Sequence, residues 1–310
     1  MSKKPLLAVV GPTASGKTGL AIHLAEKFGG EIVSCDSMQI YKGMPIGTAQ
    51  PTKEELERVP HHLIACKNPN EPYSVSDYVT EAAEIIEDIY SRGKLPVLCG
   101  GTGLYARSLI YGISFNENSR DDNLREKLTK RLEEEGEDKL FSELNLLDPK
   151  AAESIEIKNH KRLIRALEYC LVTNEKFSEQ CLNSVPRYDF LMLGINYRDR
   201  EKLYQRINLR VDLMMKDGLV DEAKKYYHIE GKGTSAQAIG YKELFPYFDG
   251  KLSLQEAAEN IKLATRHYAK RQLTWFRKEQ SISWIYPDDY SDKAEFSTAA
   301  EEKVKKANLF

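Results

Sequence analysis

What the chain lacks narrows it first. Its 310 residues hold five cysteines, Cys35, Cys66, Cys99, Cys170 and Cys181. The number is odd and no two stand at a C-x-x-C spacing, which argues against a disulfide framework and a cysteine zinc site. Cys35 and Cys99 end apolar runs and read as small buried residues, a usage that fits a reducing cytoplasm. Histidine is scarce at six, with none at an H-x-x-x-H spacing. The adjacent His61 and His62 diverge on any regular element and do not read as a metal pair. No stretch approaches the roughly 18 apolar residues of a membrane span. Residues 6–10 are followed by Gly11 and no small-residue cleavage pattern, so no secretory leader is expected. An excess of one charge is lacking too: 45 Lys+Arg stand against 47 Asp+Glu. That excludes a globally basic nucleic-acid binder but leaves room for local basic surfaces.

What is present follows an α/β grammar. Residues 6–10, 31–35 and 95–99 are short apolar runs closed by glycine or polar turns, the pattern of buried parallel strands. Helical periodicity fills 18–28 and 76–92 between them, and 190–195 and 282–286 add two further strands. Residues 116–186 interrupt this grammar with charged helical patterns and no strand. Later helices are expected over 199–216, 219–227 and 254–278, and the tail 299–306 reads as frayed. Between Lys262 and Lys278 there are six basic residues and no acid, with Tyr268, Trp275 and Phe276 interleaved. Such a run suits a solvated face or contact with phosphates and bases.

The strongest motif is Gly11-Pro12-Thr13-Ala14-Ser15-Gly16-Lys17-Thr18. It satisfies G-x-x-x-x-G-K-S/T between a strand and a helix, a match expected by chance in roughly one chain in a hundred of this length. Its glycines let the backbone wrap a phosphate, and its N–H groups and helix N-terminus attract the anion. Lys17 adds a point charge, and the Thr18 hydroxyl can hold Mg²⁺. The motif does not say which diphosphate or triphosphate ester is held. Asp36, just past the second strand, stands at the carboxyl edge where ligands of such sheets bind. A carboxylate there can take a proton or hold Mg²⁺ through water. The fold expected is a P-loop NTPase-like parallel sheet core, residues 1–115 and 187–310, with a helical insertion domain at 116–186.

Two features argue against neighbouring functions. Gly101-Thr102-Gly103-Leu104-Tyr105-Ala106 imitates a dinucleotide fingerprint, but Asp121 and Asp122 lie in a charged helical stretch rather than at a strand end. The better use of these glycines is a tight helix start at the site's rim, with Thr102 facing the ligand. The third strand also ends Val97-Leu98-Cys99-Gly100 without the Mg²⁺-supporting acid of NTP-hydrolysing motors. A P-loop kinase of a small molecule or nucleotide remains the alternative, and an RNA-binding ATP sensor a further one.

The ordered set GPTASGKT (11–18), DSMQIY (36–41), GTAQP (47–51), HHL (61–63), GGTGLY (100–105), DP (148–149), KRLIRALE (161–168), RINLRVDLMMKDGLVDE (206–222), AIGYKEL (238–244) and KRQLTWFR (270–277) resembles the tRNA isopentenyltransferase family, over about residues 5–286. The resemblance implies transfer of a dimethylallyl group from its diphosphate to N6 of the adenosine 3′ of the anticodon in tRNA. It implies Mg²⁺, a phosphate loop holding the prenyl diphosphate, and a cytoplasmic enzyme expected to act as a monomer. Gln50 stands where many members carry Lys, outside the expected chemistry.

On this reading Asp36 is the base, and Thr13, Lys17 and Thr102 join it at the reacting centre. Gly11 to Thr18 hold the diphosphate, with Thr18 on the metal. Arg206 and Arg210, four apart on one helix, reach diphosphate or RNA phosphate. Gln39 reads an adenine edge, and Asp36, Ser37, Met38 and Thr102 surround the base. Arg125, Asn159, His160, Lys161, Arg162, Leu163 and Arg165 on the insertion, with Lys270 and Arg271, contact the tRNA.

Overall fold

The computed structural model describes residues 3–113, 121–179, 185–227, 235 and 238–309. Among these, β1 (Pro5–Val10), β2 (Gly30–Ser34), β3 (His61–His62), β4 (Leu95–Gly100), β5 (Asp189–Ile195) and β6 (Ile282–Ile285) form one sheet in the order β3-β2-β4-β1-β5-β6. Every pairing is parallel. Central β1 is buried on both faces, and such strands read as unbroken apolar runs rather than alternating ones. Val10 lies opposite Gly100 on β4 and Gly194 on β5. The loops after β1, β4 and β5 therefore leave the sheet at one edge.

Helix α1 (Lys17–Phe28) covers one face with Leu20, Ala21, Leu24 and Ala25, packed on Leu7, Val9, Val97 and Ile195. The other core-unit helices are α2 (Lys53–Arg58), α3 (Val75–Ser91), α4 (Gly103–Tyr111), α9 (Arg200–Lys216), α10 (Leu219–Lys224), α11 (Phe245–Phe248), α12 (Leu254–Phe276) and α13 (Lys293–Lys306). The expected fraying of 299–306 is wrong. Those residues finish α13, whose Phe296, Ala300 and Val304 recur every fourth position and join the core under α1. Glu301 of the same helix bonds His23 at 2.8 Å. A second core of Ile40, Tyr41, Met44, Val211, Leu219, Tyr241 and Ile261 supports the chain beyond β2.

The chain divides into two compact units, residues 1–110 with 187–310, and residues 111–186. In the second, α5 (Asp122–Glu135), α6 (Glu137–Leu147), α7 (Pro149–Ser154) and α8 (His160–Thr173) enclose Leu128, Leu140, Leu144, Leu163 and Leu167. Buried Asp148 caps α7 through the Ala151 N–H at 3.0 Å and accepts from Ser178 N at 2.7 Å. Burial alone would raise its pKa, but these hydrogen bonds outweigh burial and hold the carboxyl below its ordinary value. Asp148-Pro149 is thus a structural pair.

Candidate active site

The loop after β1 is tightly determined. A Cβ on Gly11 would lie 2.6 Å from the Ile195 carbonyl. Gly16 caps α1 in the left-handed region, at φ +94°. Ala14 shares that region at φ +61°, a conformation that costs a residue with a Cβ about 1–2 kcal/mol. The Arg206 guanidinium fixes it by donating from Nε to the Ala14 carbonyl at 2.9 Å. Ser15 is buried, with its Oγ unpartnered. Lys17 donates to the Pro12 carbonyl at 3.3 Å. Burial lowers the Lys17 pKa, Asp36 opposes that and Arg210 adds to it. Burial likewise lowers Arg210, with Asp36 opposing. Two desolvated cations facing one loop are a receptor for an anion.

Two cavities meet at this loop. The larger, about 710 Å³, is lined by Gly16, Lys17, Thr18, Glu55, Arg206 and the exposed Leu209 and Leu213. The smaller, about 230 Å³, is lined by Thr13, Asp36, Ser37, Met38, Tyr268 and Arg271, with an apolar wall of Ile207, Val211, Met214, Ile239 and Ile261. Ala49, Arg210 and Met214 line both. Arg210 also lies 3.5 Å from the Thr13 hydroxyl.

Asp36 begins a turn in which its Oδ1 accepts from Met38 N at 3.0 Å and Gln39 N at 3.4 Å. Thr102 braces that turn, accepting from Ser37 N at 3.0 Å. Its hydroxyl also donates to the Ser37 Oγ at 3.3 Å. The glycines around Thr102 exist for close packing. A Cβ on Gly100 would lie 2.4 Å from the Cys35 backbone, and one on Gly103 would lie 2.0 Å from the Trp275 ring. Asp121 of the imitation fingerprint merely caps α5, accepting from Leu124 N at 3.0 Å.

The geometry gives several of the expected contact residues partners within the chain. Gln39 is turned inward: its Nε2 donates to the Ala49 carbonyl at 2.7 Å, and its Oε1 accepts from Ser34 at 3.4 Å. Its amide thereby shapes the 45–50 loop. Gln50 lines the larger cavity and donates to the carbonyls of Gln39 and Tyr41 at 2.9 and 2.7 Å, so it does belong to the site. In the 111–186 unit, Leu163 is fully buried in the core, its side chain away from any RNA, while exposed Asn159 caps α8, its Oδ1 accepting from Arg162 N at 3.3 Å. His160 bonds Glu137 at 2.6 Å. Arg125 and Arg165 converge on fully buried Glu168 at 2.7 and 2.9 Å. Burial would raise the Glu168 pKa, but the two guanidiniums hold it below its ordinary value. Lys161 and Arg162 are exposed. On α12, Lys262 bridges Asp212 and Glu259 at 2.7 and 2.9 Å, and Arg266 bonds Asn208 at 2.6 Å. Lys270, Arg271, Arg277 and Lys278 are exposed. His62 pairs with Glu31 at 2.8 Å on the sheet edge.

The sequence reading missed Glu222, Tyr241 and Gln272. Buried Glu222 accepts from Ile46 N, Gly47 N and the Tyr241 hydroxyl at 3.0, 2.8 and 2.6 Å. It straps down the loop that carries Ala49. The signal lay in the polar positions of VDE and AIGYKEL, which no helix periodicity explains.

A family model for IPP transferase matches residues 39–279, and one for isopentenyl transferase matches residues 4–67. The chain belongs to the IPP transferase family. It is 46% identical over 291 residues to the tRNA dimethylallyltransferase of Caldanaerobacter subterraneus, covering 92% of each chain. It is 47% identical over 288 residues to that of Bacillus subtilis, covering 92% of this chain and 91% of the relative. Among solved structures, the tRNA isopentenylpyrophosphate transferase of Bacillus halodurans matches with a TM-score of 0.74 at 41% identity, covering 99% of this chain and 97% of that one. A eukaryotic dimethylallyltransferase acting on tRNA matches with a TM-score of 0.82 at 32% identity, covering 97% and 77%. Both cavities are lined by residues that the two family models match between them. Among the described residues no helix is long and apolar enough to cross a membrane.

Proposed function

We propose that the chain transfers the dimethylallyl group of dimethylallyl diphosphate to N6 of the adenosine 3′ of the anticodon in tRNA, releasing diphosphate. The observation that carries this reading is the shared wall of the two cavities. A phosphate cradle with Lys17, Arg206 and Arg210 opens on one side, and the Asp36 carboxylate stands among apolar side chains on the other. A kinase needs no apolar wall of Ile207, Val211, Met214 and Ile261 beside its acceptor.

In the reaction the C1–O bond to diphosphate breaks and the N6–C1 bond forms. Charge grows on the departing oxygen, where Lys17, the loop N–H groups and Arg210 stabilise it. The exocyclic amine is a weak nucleophile because its lone pair is shared with the ring. Asp36 takes the N6 proton as the bond forms, a contribution of roughly 10²–10⁴-fold. The target base must leave its stack to reach such a pocket. Thr102 holds the Asp36 turn, and Met38 and Ser37 line the acceptor's side.

Among the described residues no cluster of three His, Cys, Asp or Glu forms a cage for a metal. The Thr18 hydroxyl at the head of α1 nevertheless fits Mg²⁺, which keeps several waters and takes its remaining ligands from phosphates. Thr18 would hold it, and the ion would supply charge neutralisation to the diphosphate. Lys161 and Arg162 on the insertion, and Lys270 and Arg271 on α12, are proposed to contact tRNA phosphates. We place the enzyme in the cytoplasm as a monomer, since one chain supplies both cavities. The test is incubation with unmodified tRNA, Mg²⁺ and labelled dimethylallyl diphosphate, followed by digestion to nucleosides. Label on adenosine carrying one added C5H8 supports the reading; label absent from RNA, or phosphate transferred instead, overturns it.

A further inference from the structure

We propose that Gln272 is a positioning residue that fixes the phosphate loop and the Asp36 turn in one frame. The proposal rests on the dimethylallyl-transfer reading and extends it to a residue outside both cavities' linings.

Gln272 projects from α12 and is 6% exposed. Its Oε1 accepts from Thr13 N at 2.9 Å, and its Nε2 donates to the Gly101 carbonyl at 2.9 Å. A Cβ on Gly101 would sit 2.2 Å from that Nε2, so the second loop is glycine where the amide passes. Each end of this bridge leads to a reacting partner. Thr13 lies beside Arg210 in the phosphate loop. Gly101 precedes Thr102, which holds Ser37 N next to Asp36. One neutral amide thus links the side that loses diphosphate to the side that loses a proton. The bridge also turns the Thr13 N–H away from the anion, leaving the cradle to N–H groups nearer α1.

An amide is the side chain this geometry requires. A methionine or leucine fills the volume but leaves a buried N–H and a buried carbonyl unmatched. A carboxylate supplies the acceptor and repels the Gly101 carbonyl. A protonated carboxyl reproduces both contacts, one oxygen accepting and its O–H donating.

The experiment compares the unaltered chain with Gln272→Leu and Gln272→Glu. Single-turnover transfer is read from about pH 5 to pH 8, with inorganic diphosphate affinity by calorimetry. Gln272→Leu should lose roughly 100-fold in transfer rate, the scale of a 1 Å misplacement, while diphosphate affinity changes little. Gln272→Glu should transfer well at the acid end and lose about tenfold per pH unit above the pKa of its introduced carboxyl, which burial raises. The unaltered chain should lack that limb. A side chain that only stabilised the fold would produce that limb only in step with loss of folded protein, read by circular dichroism at each pH, so a parallel pH profile, or a limb that tracks unfolding, overturns the proposal even if Gln272→Leu fails to fold. Equal loss of rate and diphosphate affinity in a folded Gln272→Leu also overturns it. If the unaltered chain transfers no dimethylallyl group, the functional reading fails. Hydrogen exchange at the Thr13 amide then decides the bridge alone: faster exchange in Gln272→Leu supports it, and unchanged exchange refutes it.

Discussion

Replacing Glu222 by Gln tests whether the 45–50 loop is held as a working wall of the site. The carboxylate is 5% exposed. Its Oε1 takes two donors, Gly47 N and the Tyr241 hydroxyl, and its Oε2 takes Ile46 N. The substitution keeps size and shape but turns one oxygen into a donor. The least damaging orientation leaves the carbonyl on Gly47 and Tyr241 and sets the new NH₂ against the Ile46 N–H. One hydrogen bond to a charged group is then lost, about 1.5–3 kcal/mol, and two buried donors face each other. A local cost of roughly 2–4 kcal/mol corresponds to loop opening about 30- to 1000-fold more often, at tenfold per 1.4 kcal/mol. Because Ala49 of this loop lines both cavities, the KM for dimethylallyl diphosphate should rise and kcat should fall together. Amide hydrogen exchange of residues 45–50, followed by mass spectrometry, reads the opening directly. Exchange at the unaltered rate in Glu222→Gln would mean that Glu222 does not hold this loop, whatever the kinetics.

Other outcomes follow from the same geometry. Lys17→Ala should keep the fold and lower kcat/KM by much more than tenfold, because Lys17 acts on charge that grows in the transition state; a smaller loss removes that role. Since burial lowers the Lys17 pKa, affinity for inorganic diphosphate should weaken as alkaline pH removes that proton, and calorimetry should find no such limb in Lys17→Ala. Lys270→Ala with Arg271→Ala should flatten the salt dependence of tRNA binding, by about 0.7–0.9 for each phosphate no longer neutralised. An unchanged slope would return this face of α12 to solvent. Arg125→Ala, by contrast, should lower the urea midpoint more than the salt slope, because it leaves buried Glu168 one partner short; the reverse pattern contradicts the pairing.

The parallel strands were legible because β1, β2 and β4 are buried on both faces and so write continuous apolar runs. The phosphate loop was legible because its chemistry needs glycine and lysine at fixed spacing. What escaped notice was partnering across distance. Nothing in KRLIRALE shows that Arg165 turns toward Glu168, three residues on, and shares it with Arg125 from another helix. Nor does DSMQIY show that Gln39 spends its amide on the Ala49 carbonyl. The tail misled because three apolar residues at fourfold spacing, Phe296, Ala300 and Val304, are too few to outweigh the charges around them. Polar residues at a known motif were read as facing ligand, whereas several face the backbone that shapes the site.

The most direct measurement is single-turnover transfer by Asp36→Asn, from bound dimethylallyl diphosphate to bound tRNA, across a Mg²⁺ titration. The substitution keeps size and polarity but cannot accept the N6 proton. A general base at Asp36 requires a large loss of rate at every Mg²⁺ concentration, roughly 10²–10⁴-fold, with tRNA affinity unchanged. Recovery of the rate at high Mg²⁺ would contradict it and make Asp36 a metal-supporting residue, and a near-normal rate at ordinary Mg²⁺ would leave it a turn residue only.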